Sequence, residues 1–471
     1  MMKSYNNNSK LSLRSILHYL ITIAFFVYLS FSKNYISFFN FSIFLLFCQL
    51  FLFIHLSKYF SVVLSAILIL YTLTFTLPFF LRVLTLSFIP VGFGGIIDSE
   101  ILVPSLNQIS VAIIYLLFIN FIFFLILSLF DKFYKNVHDR FKYFANYLFS
   151  KKYLIERILI LITSIHIFCS IYFGWKMGSE SWKFGFISKM LPITFFFNLF
   201  IIMVISNWDS YYKYKFKKVI FIILIIVLNS ILLGSRSGFY FIILNFIFTF
   251  LLLNKNLNFP LIKLILLSPF VILFGLLFFL YATNLRSGNI FSVNFQNLGL
   301  ITLDALNRLS SSTDSFIAIV NDYNGCLSNN ELRDVSSINN LFMQFMNSLV
   351  PGKIFSISEF YTPATYFRTH VLGVVNDNYN GDVYSGFGWY YIKFGNFVFL
   401  IFAIYISFYL FIILILSKLR GLFFGFCLYF INWFTIDFFL HGSFLLSGLS
   451  GLITFTLFVF VTFLFFRLYA D

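Results

Sequence analysis

Val219-Ile220-Phe221-Ile222-Ile223-Leu224-Ile225-Ile226-Val227-Leu228-Asn229-Ser230-Ile231-Leu232-Leu233 is apolar throughout except for Asn229 and Ser230. A strand of a membrane barrel alternates apolar and polar residues over about ten positions. This run does not alternate, and neither does Leu449–Phe466. Lipid offers no hydrogen-bond partner to the backbone, so an unbroken apolar run that crosses it closes its own N–H and C=O groups in a helix. The fold class that follows is an all-α polytopic integral membrane protein.

Composition agrees with that reading. Of 471 residues, 60% are hydrophobic and only 10% charged, with a mean hydropathy of +0.93. Soluble domains carry about 25% charged residues. The net charge of +15 would suggest nucleic acid in a soluble protein. In a membrane protein it reflects Lys and Arg retained on the cytoplasmic side, so no nucleic-acid partner is expected. Phe contributes 74 residues and Tyr 28. Phe, Ile, Asn, Lys and Tyr are enriched together, as in AT-rich coding, and no single Phe is singled out. The four cysteines are scattered, with Cys326 alone in a polar stretch, and no structural disulfide is expected. The first apolar run lacks a small-residue cleavage site and reads as a retained span rather than a signal peptide.

A crossing takes about twenty apolar residues. On that measure spans are expected near 15–33, 36–56, 60–80, 107–130, 154–174, 188–207, 218–233, 239–254, 260–282, 392–417, 421–437 and 447–468, about twelve in all. An even number places both termini on one side. One set of loops holds Lys3, Lys10, Arg14, Lys58, Lys132, Lys135, Arg140, Lys142, Lys151, Lys152, Lys213, Lys215, Lys217, Lys218, Lys255, Lys418 and Arg420. The opposite short loops hold Lys33, Arg82, Lys176, Lys183 and Arg236. The asymmetry puts both termini in the cytoplasm.

Three parts follow: a bundle of nine helices over 1–282, a polar insert over 283–391 on the outer side, and three last helices over 392–471. Transporters keep their loops short and bind at mid-bilayer. A long charged insert between two spans places the chemistry at the water interface instead.

Arginine supplies the candidate chemistry. Gly234-Ser235-Arg236-Ser237-Gly238 turns between two short apolar runs. The guanidinium fork suits phosphate oxygens, and the flanking glycines allow exposed N–H groups at the next helix start. The plainer reading is a hairpin whose Arg236 snorkels to headgroups. In the insert, Arg286 follows a span end, and Asp304 and Arg308 share a helix face, where they also suit a simple ion pair. Asp314 follows. Arg368 and His370 lie in Tyr361-Thr362-Pro363-Ala364-Thr365-Tyr366-Phe367-Arg368-Thr369-His370, with Glu359 and Asp382 nearby as acid–base candidates. A short helix within Leu298–Val320 is expected to dock, with Leu300 and Leu303, then Ile317 and Val320, sharing faces. HExxH, the phosphate-binding GxxxxGK[ST], GxSxG and Cys/His metal spacings are absent, and Asp98-Ser99-Glu100 is the nearest approach to a DxD. No metal and no cofactor is expected.

The dozen spans, the Gly234–Gly238 turn, the late external loop and Tyr384-Ser385-Gly386-Phe387-Gly388-Trp389-Tyr390-Tyr391-Ile392-Lys393-Phe394-Gly395-Asn396 resemble the O-antigen polymerase (Wzy-type) family. The resemblance covers most of the chain in architecture and two short segments in sequence. The paired Arg-to-Gly repeats of some members have no counterpart after Arg236, Arg286, Arg308 or Arg368. It implies a GT-C-like architecture and a metal-independent glycosyltransferase. Such an enzyme joins undecaprenyl-diphosphate-linked oligosaccharide repeat units into O-antigen or capsular polysaccharide on the outer face of the bacterial cytoplasmic membrane. Arg236, Arg286, Arg308 and Arg368 would hold the diphosphate, and Asp314, Glu359 and His370 would join Arg236 as catalytic candidates. A chain-length regulator and membrane lipid are the expected partners. An O-antigen ligase-like transferase and a flippase or exporter of lipid-linked sugars remain as alternatives. The flippase predicts charges within the spans.

Overall fold

The computed structural model describes residues 35–57, 60–88, 104–172, 193–206, 220–228, 247–249, 251–252, 311–322, 325–335, 386–419, 424–425, 427–428 and 431. Among the described residues all regular structure is helical. In chain order the helices are α1 (Tyr35–Ser57), α2 (Val62–Tyr71), α3 (Leu77–Phe88), α4 (Leu106–Tyr134), α5 (Val137–Ser150), α6 (Lys152–Tyr172), α7 (Ile193–Ser206), α8 (Ser311–Val320), α9 (Asn330–Val335), α10 (Gly386–Phe394) and α11 (Val398–Leu416). Among the described residues two stretches are long and apolar enough to cross a membrane: Leu106–Tyr134 and Tyr390–Leu416, with mean hydropathies of 2.8 and 2.9. The expected spans near 15–33, 260–282 and 447–468 lie outside the described residues.

Helix α4 is the axis of the described bundle. Helices α1 and α11 pack along it, α2 and α8 also touch it, and α6 packs on α7. A capping box starts α4: Ser105 Oγ accepts from Gln108 N at 3.3 Å, and Gln108 Oε1 accepts from Ser105 N at 2.9 Å. Helix α2 is buried from Val63 to Leu68 on every side, as expected for a helix apolar all round. Its first turn has no cap from Ser61 itself. Asp131 of α4 accepts from Ser61 N at 2.7 Å instead, tying the two helix ends together.

Three departures from the expected spans have local causes. Helices α2 and α3 join through a π-helical turn, Thr72–Thr76, in which Leu77 N–H bonds to Thr72 O. Pro78 follows directly; it has no N–H to donate and its ring crowds the preceding turn, so the ladder shifts there. The expected loop between the fourth and fifth spans contains α5, because Val137, Phe141, Phe144, Ala145 and Leu148 recur at helical spacing and all are buried. The last described span begins early: α10 starts at Gly386 and passes through the 3-10 turn Gly395–Phe397 into α11. Gly395 takes a φ of +55°, which a side chain would resist, and this breaks the two helices apart.

Several helices leave apolar stripes exposed. On α11 the stripe is Leu400, Ile404, Phe408, Phe411 and Ile415; on α4 it is Leu125, Leu129 and Phe133. Soluble surfaces rarely carry contiguous apolar faces of this size.

Candidate functional site

The insert meets the bundle at the π turn and the first turn of α3, and at the first turn of α4. Helix α8 packs against α3, α4 and α10. Phe316 is fully buried, with its ring edge-on to Phe79 at 5.7 Å and to Phe75 at 6.2 Å. Phe75 and Phe79 are four residues apart, and both aim at α8. At the far end of α8, Asn321 Nδ2 donates to Gln108 O at 2.9 Å and to Ile317 O at 2.8 Å, joining the insert to the first turn of α4.

Beyond α8 the chain turns tightly. Asp322 takes a φ of +51°, and its Oδ1 accepts from Leu327 N at 2.7 Å. An Asp tolerates this left-handed conformation because its short side chain bonds the local backbone. Gly325 takes a φ of +66°, and Asn329 Oδ1 accepts from Leu332 N at 2.9 Å at the start of α9. Cys326 is buried under this turn. Burial, and then the neighbouring Asp322 carboxylate, push its thiol up to about 12.

Helix α10 closes the other side. Tyr391 and Tyr115 share a hydroxyl contact of 3.1 Å with rings nearly perpendicular. Phe399 stacks on Tyr115 at 5.7 Å, so α4, α10 and α11 are joined by one aromatic group.

Among the expected site residues, Asp314 lies in the first half of α8, the helix that packs against α3, α4 and α10. Arg236, Arg286, Arg308, Glu359, Arg368 and His370 lie outside the described residues, as do Leu300 and Leu303. The expected docking helix differs in character. Ser315, Phe316, Ile317, Ala318, Ile319 and Val320 are all buried. A helix covered on every side is inserted between neighbours, not laid along a surface by one apolar face.

The sequence reading passed over Glu156 and His166 and expected Arg82 in a short outer loop, whereas Arg82 lies inside a helix. Arg82 of α3, Glu156 of α6 and His166 of α6 are buried, Arg82 and Glu156 completely. Each interacts with neighbouring groups. Arg82 continues the stripe that begins at Phe75 and Phe79. Glu156, Leu159, Thr163 and His166 form the inward stripe of α6, which packs on α7. Helical spacing within an apolar run was the available signal for both.

A second polar group lies inside the bundle. Asn120 of α4 accepts from the Tyr71 hydroxyl and, at 3.3 Å, from Thr76 Oγ1. Its Nδ2 donates to Gln49 Oε1 of α1 at 2.7 Å, and Gln49 Nε2 donates to Leu117 O at 3.4 Å. All four side chains are buried, so one amide links α1, α2, the π turn and α4.

Among the described residues no group of three or more His, Cys, Asp or Glu is placed to hold a metal. What the described part supplies is an apolar and aromatic socket with an insert helix buried in it. Comparison with protein-family models, with curated proteins and with solved structures finds no match.

Proposed function

We propose that the chain is a polytopic membrane glycosyltransferase that polymerises undecaprenyl-diphosphate-linked oligosaccharide repeat units into O-antigen or capsular polysaccharide. In this reading about twelve helices span the bacterial cytoplasmic membrane, both termini are cytoplasmic and residues 283–391 face outward. The observation that carries it is the insertion of α8, from the long polar insert, between α3, α4 and α10. An insert built into one end of a bundle serves chemistry at the membrane surface, where a lipid-linked donor presents its diphosphate. The exposed apolar stripes of α4 and α11 support the membrane assignment.

The reaction assigns roles by charge. The acceptor hydroxyl oxygen forms a bond to the anomeric carbon of the growing chain. The bond from that carbon to the diphosphate oxygen breaks, and undecaprenyl diphosphate leaves with the electron pair. The hydroxyl proton passes to Asp314, Glu359 or His370 as base. Arg236, Arg286, Arg308 and Arg368 stabilise the leaving diphosphate. A second reading, a flippase of lipid-linked sugars, is favoured by the buried Arg82 and His166, since ionisable residues within the spans mark a polar path.

Deleting the gene separates these readings. Loss of a polymerase leaves lipid-linked glycan at one repeat unit on the outer leaflet. Long lipid-linked chains left untransferred identify a ligase, and single units trapped on the inner leaflet identify a flippase. Arg236→Lys keeps the charge but loses the bidentate fork. It is expected to impair polymerisation severely while protein level is unchanged, and full polymer in this variant would reduce Arg236 to a headgroup anchor.

A further inference from the structure

The junction of α4, α5 and α6, at the opposite end of α4 from the insert, carries a surface that polymerisation does not use. The exposed stripe of α4 ends in Phe133, and the exposed stripe of α6, through Leu161, Ile165 and Phe168, begins at Tyr153 and Leu154. Basic residues stand at both stripe ends: Lys132 and Lys135 on α4 and its exit, Lys151, Lys152 and Arg157 on α6 and its entrance. Residues 131–157 contain seven Lys or Arg and three Asp or Glu, a balance of 7 − 3 = +4.

The outward imbalance is larger than the count. Glu156 is fully buried, and Asp131 is engaged with Ser61 N. That leaves Asp139 as the exposed carboxylate of residues 131–157, set against five exposed cations, Lys132, Lys135, Arg140, Lys151 and Arg157. Helix α5 turns Phe141 and Phe144 inward onto Phe424, at 5.0 and 5.2 Å. Its other face presents Tyr143, 77% exposed, and Tyr147. Lys152 Nζ lies over the Phe149 ring at 4.5 Å and over the Tyr153 ring at 5.2 Å from their centres.

We propose that this junction binds the anionic headgroups of the phospholipid leaflet around it. The inference rests on the membrane reading above. If the exposed stripes face acyl chains, the lysines at their ends stand at phosphate depth, and tyrosines are the residues favoured at that level. A free phosphate would need no apolar stripe beside it. The continuity of stripe, tyrosines and lysines therefore points to lipid. An anionic surface attracts such clusters with a free energy that grows with each cation.

The test uses the purified full-length chain. Co-flotation is measured with vesicles of phosphatidylcholine alone and of phosphatidylcholine mixed with phosphatidylglycerol, and the unfolding temperature is followed as phosphatidylglycerol is titrated in. The parent is expected to float with both vesicles and to gain thermal stability with phosphatidylglycerol. The variant Lys132→Gln/Lys135→Gln/Lys151→Gln/Lys152→Gln should match the parent in phosphatidylcholine, which shows that it folds. Its phosphatidylglycerol midpoint should rise by about tenfold or more, and salt should weaken the parent's response. An unchanged midpoint in the variant, or no response in the parent, overturns the proposal while leaving the membrane reading intact. An equal response to inorganic phosphate alone also overturns it, in favour of a free-anion site. Failure to float with either vesicle overturns the membrane reading itself.

Discussion

Replacing Asn120 by Leu removes the acceptor of Tyr71 and Thr76 and the donor to Gln49 in one step. Leu is similar in volume, so the cost comes from polarity and not from a cavity. In water-soluble proteins each orphaned buried group costs about 1–3 kcal/mol. Within a bilayer the unfolded reference also finds partners, and side-chain hydrogen bonds average about 0.6 kcal/mol. Three such bonds give about 2 kcal/mol as the lower bound. The second step of the design is Gln49→Leu, alone and with Asn120→Leu. The double variant removes both ends of the 2.7 Å bond, so it should cost less than the sum of the singles. Unfolding in mixed micelles with increasing denaturing detergent, read by the reactivity of the buried Cys427 thiol, supplies the free energies. If Asn120→Leu matches the parent within the error of that measurement, the amide does not organise the bundle and the reasoning is wrong.

Phe316→Ala empties the space between Phe75 and Phe79 and should cost about 3–5 kcal/mol, seen as faster proteolytic cleavage within 283–391; unchanged cleavage would mean that α8 is held by other contacts. Cys326 is held protonated by burial and by Asp322, with its folded value raised to about 12 from 9.0. Its contribution to stability is therefore full below pH 9 and is lost as pH rises from 9 towards 12, a trend that thermal melts of the parent and of Cys326→Ala should separate. Rapid maleimide labelling of Cys326 in the folded protein at neutral pH would contradict that assignment. A periplasmic reporter fused after Asn330 should be active and one fused after Lys142 silent; the reverse result would invert the orientation and remove the insert from the outer face.

The sequence showed the long elements because their signal is local. Unbroken apolar runs announced α1, α4 and α6 within a few residues of their ends, and α11 at its C-terminal end. Helix α5 was hidden by its own surface: Arg140, Asn146 and Ser150 read as a polar loop, although Val137, Phe141, Phe144 and Leu148 carried the helical spacing. Asn120 was invisible for a different reason. A single amide in an apolar run looks tolerable, and its partners lie 49 and 71 residues away in the chain, so nothing near it reveals the network. Ile317 and Val320 were legible as apolar contacts of a docking helix. That α8 is covered all round depends on Phe75, Phe79 and α10, which no local pattern connects to it.

The π turn at Thr72–Thr76 sets a phase. Tyr71 and Thr76 are five residues apart, and on an α-helix at about 100° per residue they would point roughly 140° away from each other. The wider π turn stacks positions five apart, which lets both hydroxyls reach the same oxygen of Asn120. The same turn fixes the rotation of everything after it, including Phe79 towards Phe316 and Arg82 further along that stripe. One residue of chain length thus keeps two distant addresses in step, the amide inside the bundle and the socket at its end. Shortening the turn by a residue would leave every helix intact and misdirect one of the two.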